Sequence, residues 1–291
     1  MTTEFLGVVE LGGLYKDGDI QRRPEKPWRI KYEPVSGIGV GDIPDFTTLP
    51  DMTKWLIGDT PERSSRRLRW NKIKTGEKTL LISDRVILAR VSWDDLNSQG
   101  WVTGRTITID GQQYICRLLT GGSNFRDDDF SAGGSPANNE WDRFITREEA
   151  ATGLPIPTAS ELDTDQFSTN QLGAHNQVWN WFGMYSWVQE AYVENASYRA
   201  VRGYYSARYW NVYPSSNRYG YVGWRPALEV LNTDQLPPEH PSEDKAGGPG
   251  ILYQVGEKGD SLTITDRTVE SIHYDPAARR LEVKFTSPVN V

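Results

Sequence analysis

Tyr204-Tyr-Ser-Ala-Arg-Tyr-Trp-Asn-Val-Tyr-Pro-Ser-Ser-Asn-Arg-Tyr-Gly-Tyr-Val222 runs almost directly into Trp224-Arg-Pro-Ala-Leu-Glu-Val-Leu231. The second stretch reads as a strand. Its Pro226 has no N–H to give to a ladder, which suggests a sheet edge or a bulge. The first stretch repeats Tyr, Ser, Asn and Arg. Rigid aromatic anchors that lose little entropy, set among small adaptable polar groups, are the chemistry of evolved recognition surfaces. The opposing reading makes Tyr204, Tyr209, Trp210 and Tyr213 ordinary packing residues of a loop-rich fold. We divide the segment. Trp210 and Trp224 are assigned to the core, and exposed rings are expected among Tyr205, Tyr213, Tyr219 and Tyr221. The candidate ligand-binding residues are Tyr204, Tyr205, Arg208, Tyr209, Asn211, Tyr213, Ser215, Ser216, Asn217, Arg218, Tyr219 and Tyr221.

Upstream, Arg105-Thr-Ile-Thr-Ile109 and Gln112-Gln-Tyr-Ile-Cys-Arg-Leu118 flank Asp110-Gly111, the dipeptide that a type I′ hairpin turn requires because both central residues need positive φ. Thr79–Ser83 and Arg85–Val91 read as buried strands. Ser92 followed by Asp94 and Asp95 marks a capped helical turn. Trp141, Phe144 and Ile145 fall at i, i+3 and i+4, predicting a helix over 138–145 with one apolar face. Thr158-Ala-Ser-Glu161 has capping-box spacing. The first 50 residues are punctuated by Gly and Pro. They suggest a strand pair over Phe5–Tyr15 and an edge strand at Trp28–Tyr32. Thr233–Gly250 is a Pro/Gly-rich linker. Ile251–Val255, Ser261–Thr265, Glu270–Tyr274 and Arg280–Phe285 follow as short strands, too few to build a robust core alone. The expected organisation is an N-terminal β and loop region over 1–90, a central domain over 91–232, a linker over 233–250 and C-terminal strands over 251–291.

The chain has 291 residues and a net charge of −7. That balance argues against a general nucleic-acid binder, which needs a basic face. The one basic run holds Arg63, Arg66, Arg67, Arg69, Lys72, Lys74 and Lys78, and reads as a solvated face, with contact to an acidic neighbouring subunit as the alternative. Its 11 Trp and 14 Tyr residues are unusually many, and most of the Trp are expected to form the core. Cys116 stands alone, so no internal disulfide forms and a thiolate zinc site is excluded. No run of 18 apolar residues is present, so no membrane-inserted helix is expected. The N-terminus has no basic n-region or apolar h-region, so an ordinary secretion signal is not expected.

Four segments, in order, carry a resemblance. They are Gly153-Leu-Pro-Ile-Pro-Thr-Ala-Ser-Glu-Leu162, His175-Asn-Gln-Val-Trp-Asn-Trp181, Tyr198-Arg-Ala-Val-Arg-Gly203 and Val222-Gly-Trp-Arg-Pro-Ala227. Together they resemble the formylglycine-generating-enzyme branch of the C-type-lectin fold, over roughly residues 110–232. The resemblance implies an α+β, C-type-lectin-like domain with a loop- and strand-rich N-terminal region and a short C-terminal β appendage. The same fold serves variable proteins of diversity-generating retroelements, including phage tail receptor-binding proteins, which display the segment equivalent to 204–222. The stretch Trp93–Asn232 also looks like phage and prophage proteins of Gram-positive bacteria. The implied location is the virion. The implied partners are a host cell-surface receptor or glycan, other virion subunits and further copies of the chain in a homo-oligomer.

Enzymatic members of that family use a reactive cysteine pair or a cluster of histidines. This chain has only Cys116, and His175, His240 and His273 are spread over a core turn, the linker and a terminal strand. We therefore expect a non-enzymatic protein with no cofactor. Asp127, Asp128 and Asp129 read as a solvated acidic loop, with calcium as the alternative because hard oxygen ligands suit it. A structural or decoration protein of the particle is the second reading of function.

Overall fold

The computed structural model describes residues 3–29, 39–162, 172–231, 250–254, 269–275 and 280–285. The edge strand expected to run through Tyr32, the linker residues 233–249, the strand Ser261–Thr265 and His240 lie outside the described residues. The chain divides into two compact units, Met1–Gln235 and Leu236–Val291. In the second unit, Gly250–Gln254 and Val269–Asp275 both pair antiparallel with Arg280–Phe285.

The expectation of an α+β lectin-like fold is overturned. The protein is mostly β, 44% strand against 14% helix, built on a curled antiparallel half-barrel sheet. Sequence signals for helix starts are met, but each yields only a turn or so. Ser92 and Asp95 form a capping box over Trp93–Asn97, and Thr158 and Glu161 form another at Ala159–Leu162. The helix expected over 138–145 is a five-residue π-type turn, Trp141–Ile145. Caps satisfy the first orphan N–H groups, but only a long amphipathic run sustains a helix. The turn Ala174–Trp179 ends at once because Asn180 adopts a left-handed conformation with φ 42°.

The main sheet of the first unit runs Ala151–Thr152, Thr3–Lys16, Arg67–Thr75, Lys78–Ser83, Ala227–Val230, Gln112–Arg117 and Arg105–Ile109, with Asp19–Ile20 and Trp55–Gly58 also paired to the first strand. Phe5–Tyr15 is not a strand pair but part of the single strand Thr3–Lys16. Gly7 (φ 96°) and Gly12 (φ 66°) fall where its register against Arg67–Thr75 slips. Bulges at residues without a Cβ bend the strand without breaking it. The bend lets Trp55–Gly58 approach the far edge strand. Thr60 N donates to Asp110 Oδ1 at 2.9 Å, and Asp110 N donates to Asp59 Oδ1 at 2.7 Å. Asp110 (φ 51°) and Gly111 (φ 81°) make the expected hairpin turn.

A second sheet runs Trp210–Pro214, Asn195–Gly203, Tyr185–Tyr192, Val222–Trp224 and Leu88–Ala89. Of the run Arg85–Val91, only Leu88–Ala89 is strand, although all of it except Arg90 is buried. The chain passes from the second sheet to the first at Arg225–Pro226. Ala227–Val230 then lies in the middle of the main sheet, between Lys78–Ser83 and Gln112–Arg117, not at an edge. Pro226 is tolerated because it precedes the strand, where its missing N–H costs no ladder bond and its carbonyl still accepts from Ser83 N at 3.0 Å. Buried Arg225 pins this crossing by donating to Trp179 O (2.6 Å), Asn180 O (3.0 Å) and Ser186 Oγ (3.0 Å).

All the tryptophans except Trp28 are buried, Trp210 and Trp224 completely. Most of their indole N–H groups reach a carbonyl, as Trp141 does to Ala207 O at 2.8 Å and Trp210 to Gly122 O at 3.1 Å. Asp142 and Arg202 are both fully buried and form an ion pair. Burial opposes ionisation of Asp142, but the Arg202 guanidinium overcomes it and holds the carboxyl below its ordinary range. Removing one partner of a buried pair strands the other charge. Arg202→Met is expected to lower the free energy of unfolding by about 3–5 kcal/mol. Arg202→Lys, which keeps a cation beside Asp142, should lose less. Urea unfolding of the two variants checks this, and equal losses would refute it.

Candidate functional site

The segment 204–221 leaves and returns beside a single residue. Tyr185 is paired with Gly203 on one neighbouring strand and with Val222 on the other. At the exit, Gly203 (φ 88°) and Tyr204 (φ 81°) turn the chain sharply, while Tyr204 N donates to Trp181 O at 2.8 Å. At the return, Tyr185 N donates to Tyr221 O at 2.8 Å. Positive φ is costly for a bulky side chain and persists only where the surroundings enforce it. Here the turn sends the Tyr204 ring inward, where it is 1% exposed and stacks on Tyr185 at 4.6 Å and 12°.

Around that stacked pair the structure gathers every tyrosine of the segment. Tyr185 meets Tyr205 (6.4 Å), Tyr209 (6.2 Å), Tyr213 (5.6 Å) and Tyr221 (6.2 Å). Tyr205 meets Tyr209 at 5.0 Å, and Tyr219 stacks on Tyr221 at 5.1 Å with 12° between planes. Most of the other contacts are edge-to-face, the arrangement that the ring quadrupole favours. Tyr204 and Tyr185 are buried, Tyr205, Tyr209, Tyr213 and Tyr221 half-buried, and Tyr219 exposed. Burial raises the hydroxyl pKa of Tyr185, Tyr209 and Tyr213, and the Tyr213 hydroxyl is bonded to Tyr185 and Tyr221.

The polar candidates are largely spent on holding the segment in place. Arg218 makes two bonds to Asp95, at 2.8 and 2.7 Å, and lies over the Phe46 ring. Ser215 Oγ donates to Asp94 Oδ2 at 3.0 Å, and Asn217 N donates to Pro214 O at 3.0 Å. Asn211 Nδ2 reaches the Tyr185 hydroxyl at 3.4 Å. Arg208 Nε donates to Leu162 O at 3.2 Å. Ser216 and Arg218 are exposed, and Ser215, Asn217, Arg208 and Asn211 half-buried.

Two members of the aromatic surface escaped sequence reading. Tyr185 lies in the mixed aromatic run 178–192, and only strand pairing reveals it as the hub. Phe130 is 41% exposed on the strand Asp129–Ser135, which pairs with Asn124–Arg126. It packs on Phe125 (4.6 Å), Tyr209 (6.3 Å) and Trp210 (6.4 Å). Asp127 and Asp128, both with positive φ, form the exposed turn before it, and Asp129 Oδ1 accepts from Ser131 N at 2.7 Å. Among the described residues, no group of three His, Cys, Asp or Glu side chains is placed to hold a metal ion.

The reactive side chains are otherwise engaged. Cys116 is fully buried and burial raises its thiol pKa. His175 is buried, accepting at Nδ1 from Trp181 Nε1 (3.1 Å), so its Nε2 carries the hydrogen and donates to Ile145 O (2.6 Å). Burial lowers its pKa to about 4. Because the folded-state value is depressed, the unfolded chain takes up the proton first as pH falls below 6.5. Stability is therefore expected to drop by about 1.4 kcal/mol per pH unit between pH 6.5 and 4 from this residue. Above that window its contribution is constant. Urea midpoints of the parent and His175→Gln at pH 7, 6 and 5 isolate it. Identical pH slopes in the two proteins would refute the assignment.

No family model matches the chain, and no curated protein or solved structure matches it.

Proposed function

We propose that this is a non-enzymatic binding protein of a phage particle, carried on its tail or surface, that engages a host receptor or ligand through the segment 204–221. The observation that supports this best is the closed excursion itself. A segment rich in Tyr, Ser, Asn and Arg is held at both ends on the strand of Tyr185, and its rings form one mutually packed surface. Rings ordered before binding lose little entropy on contact, which is how preorganised recognition surfaces gain affinity. The resemblance of Trp93–Asn232 to phage and prophage proteins of Gram-positive bacteria supports the location. Assembly as a homo-oligomer on the particle belongs to the same reading, and the net charge of −7 suits a surface that does not seek nucleic acid.

The test is binding of the labelled full chain to intact cells of a panel of Gram-positive strains. Tyr219→Ser, at an exposed position, and the combined change of Tyr205, Tyr213, Tyr219 and Tyr221 to Ser are run beside the parent. Near-UV circular dichroism reports whether each retains its packed core. The parent is expected to bind at least one strain, Tyr219→Ser to bind it at least tenfold more weakly, and the combined variant not at all. Failure of the parent on every strain, together with its incorporation into purified tails or capsids, would replace this reading with a structural role.

A further inference from the structure

Which ligand chemistry suits this face follows from how its rings are backed and how its charges are spent. Two rings of the aromatic row rank among the exposed large hydrophobic side chains, Tyr219 and Phe130, each at 41%. Tyr219 is covered on one face by Tyr221 and met by Tyr213 at 5.2 Å and 78°. Phe130 is backed by Phe125 and lies at 22° to the Trp210 ring. A ring supported in this way presents its remaining face at a set attitude. Between the two runs an unbroken series of ring contacts through Tyr209, Tyr205, Tyr185 and Tyr213, no step longer than 6.4 Å.

Two exposed rings joined only through buried and half-buried ones do not provide the broad apolar centre of a protein–protein interface, which buries about 800 Å² per partner around a dehydrated core. They do match the pyranose ring, whose polarised C–H face lies against the negative face of an aromatic ring while its hydroxyls stay in water. Charge narrows the class further. The arginines beside Tyr219 are engaged, Arg218 by Asp95 and Arg90 by Asp45. At the Phe130 end, Asp127, Asp128 and Asp129 are exposed carboxylates. Burial raises the phenol pKa of Tyr209 and Tyr213 further above neutrality, so these two rings add no charge. A phosphate- or carboxylate-bearing polymer would meet repulsion at one end and no uncommitted guanidinium from Arg218 or Arg90 at the other.

We propose that the ligand is an uncharged glycan, stacked on Tyr219 and on Phe130 as two separate platforms, so that the site extends beyond the segment 204–221 to the hairpin at 124–135. This rests on the binding reading above and names the ligand for it. The test applies the full chain to an array of uncharged oligosaccharides printed beside sialylated, sulfated and phosphorylated ones. Tyr219→Ala, Phe130→Ala and, as a control at a distinct exposed apolar position, Val193→Ser are applied in parallel, with thermal melts to confirm folding. The parent is expected to bind uncharged glycans. Tyr219→Ala and Phe130→Ala should each weaken that binding at least tenfold, and Val193→Ser should leave it unchanged. Binding confined to charged glycans, or uncharged binding that survives both aromatic changes, overturns the proposal. A silent array with Tyr219-dependent, protease-sensitive binding to cells overturns the glycan while leaving the binding reading in place. Silence on both the array and cells removes both.

Discussion

The fully buried pair of Arg202 and Asp142 is the interaction on which the rest of the aromatic face hangs. Arg202 is the residue before Gly203, where the chain turns out of its strand. Its guanidinium donates to Gly121 O (2.8 Å), Arg208 O (3.0 Å) and Tyr209 O (3.3 Å) as well as to Asp142. It lies 5.6 Å from the centre of the Trp141 ring, whose N–H in turn holds Ala207 O. Asp142 reaches the other way. It accepts from Gly134 N (2.9 Å) and Asn139 Nδ2 (2.7 Å) and pairs with Arg126 (3.0 Å), fixing the hairpin that carries Phe130. One desolvated charge pair therefore positions both parts of the aromatic face. A pair of this kind adds little net stability over an apolar substitute. This one joins three chain segments through their backbone carbonyls.

The layers beneath serve the same end. The tryptophan core is large and stiff, and its indole N–H groups mostly terminate on carbonyls of neighbouring elements, so ring packing and backbone placement are coupled. Arg225 does for the crossing between the two sheets what Arg202 does for the tyrosine-rich segment. Both guanidiniums flank the ring of Trp141, Arg225 at 5.5 Å. Burial lowers the Arg225 pKa to about 9, yet it remains the cation that ties Trp179, Asn180 and Ser186 to the start of the central strand. On such a frame, the cost of ordering the tyrosines is met in folding.

Legibility in the sequence followed the range of the interaction. Asp110-Gly111 specified its turn because positive φ at two successive residues is a local demand. Ser92 with Asp95, and Thr158 with Glu161, formed their capping boxes because those bonds close within four residues. The extent of the helices is not legible locally, for the complementary reason. Trp141, Phe144 and Ile145 have helical spacing, but their three apolar side chains are buried by a π-type turn as well as by a helix. Phe5–Tyr15 divided on paper at its glycines, whereas in the sheet Gly7 and Gly12 provide bulges that keep one long strand continuous around the curl. Pro226 implied an edge or a bulge, but its position just ahead of the strand made it harmless at the sheet centre.

The sequence by itself determined the chemistry of this protein: a surplus of aromatic rings, a Tyr-rich segment suited to recognition, a single thiol and an acidic balance. These are properties of residue types and their neighbours, and need no partner distant in the chain. Only the tertiary structure decided which rings form the surface. Tyr204 turns inward, Tyr219 outward, and Tyr185 and Phe130 join from elsewhere, because each depends on strand pairing and on contacts far apart in sequence. Burial of a side chain is fixed by what folds over it, and for this surface that is the Arg202–Asp142 junction.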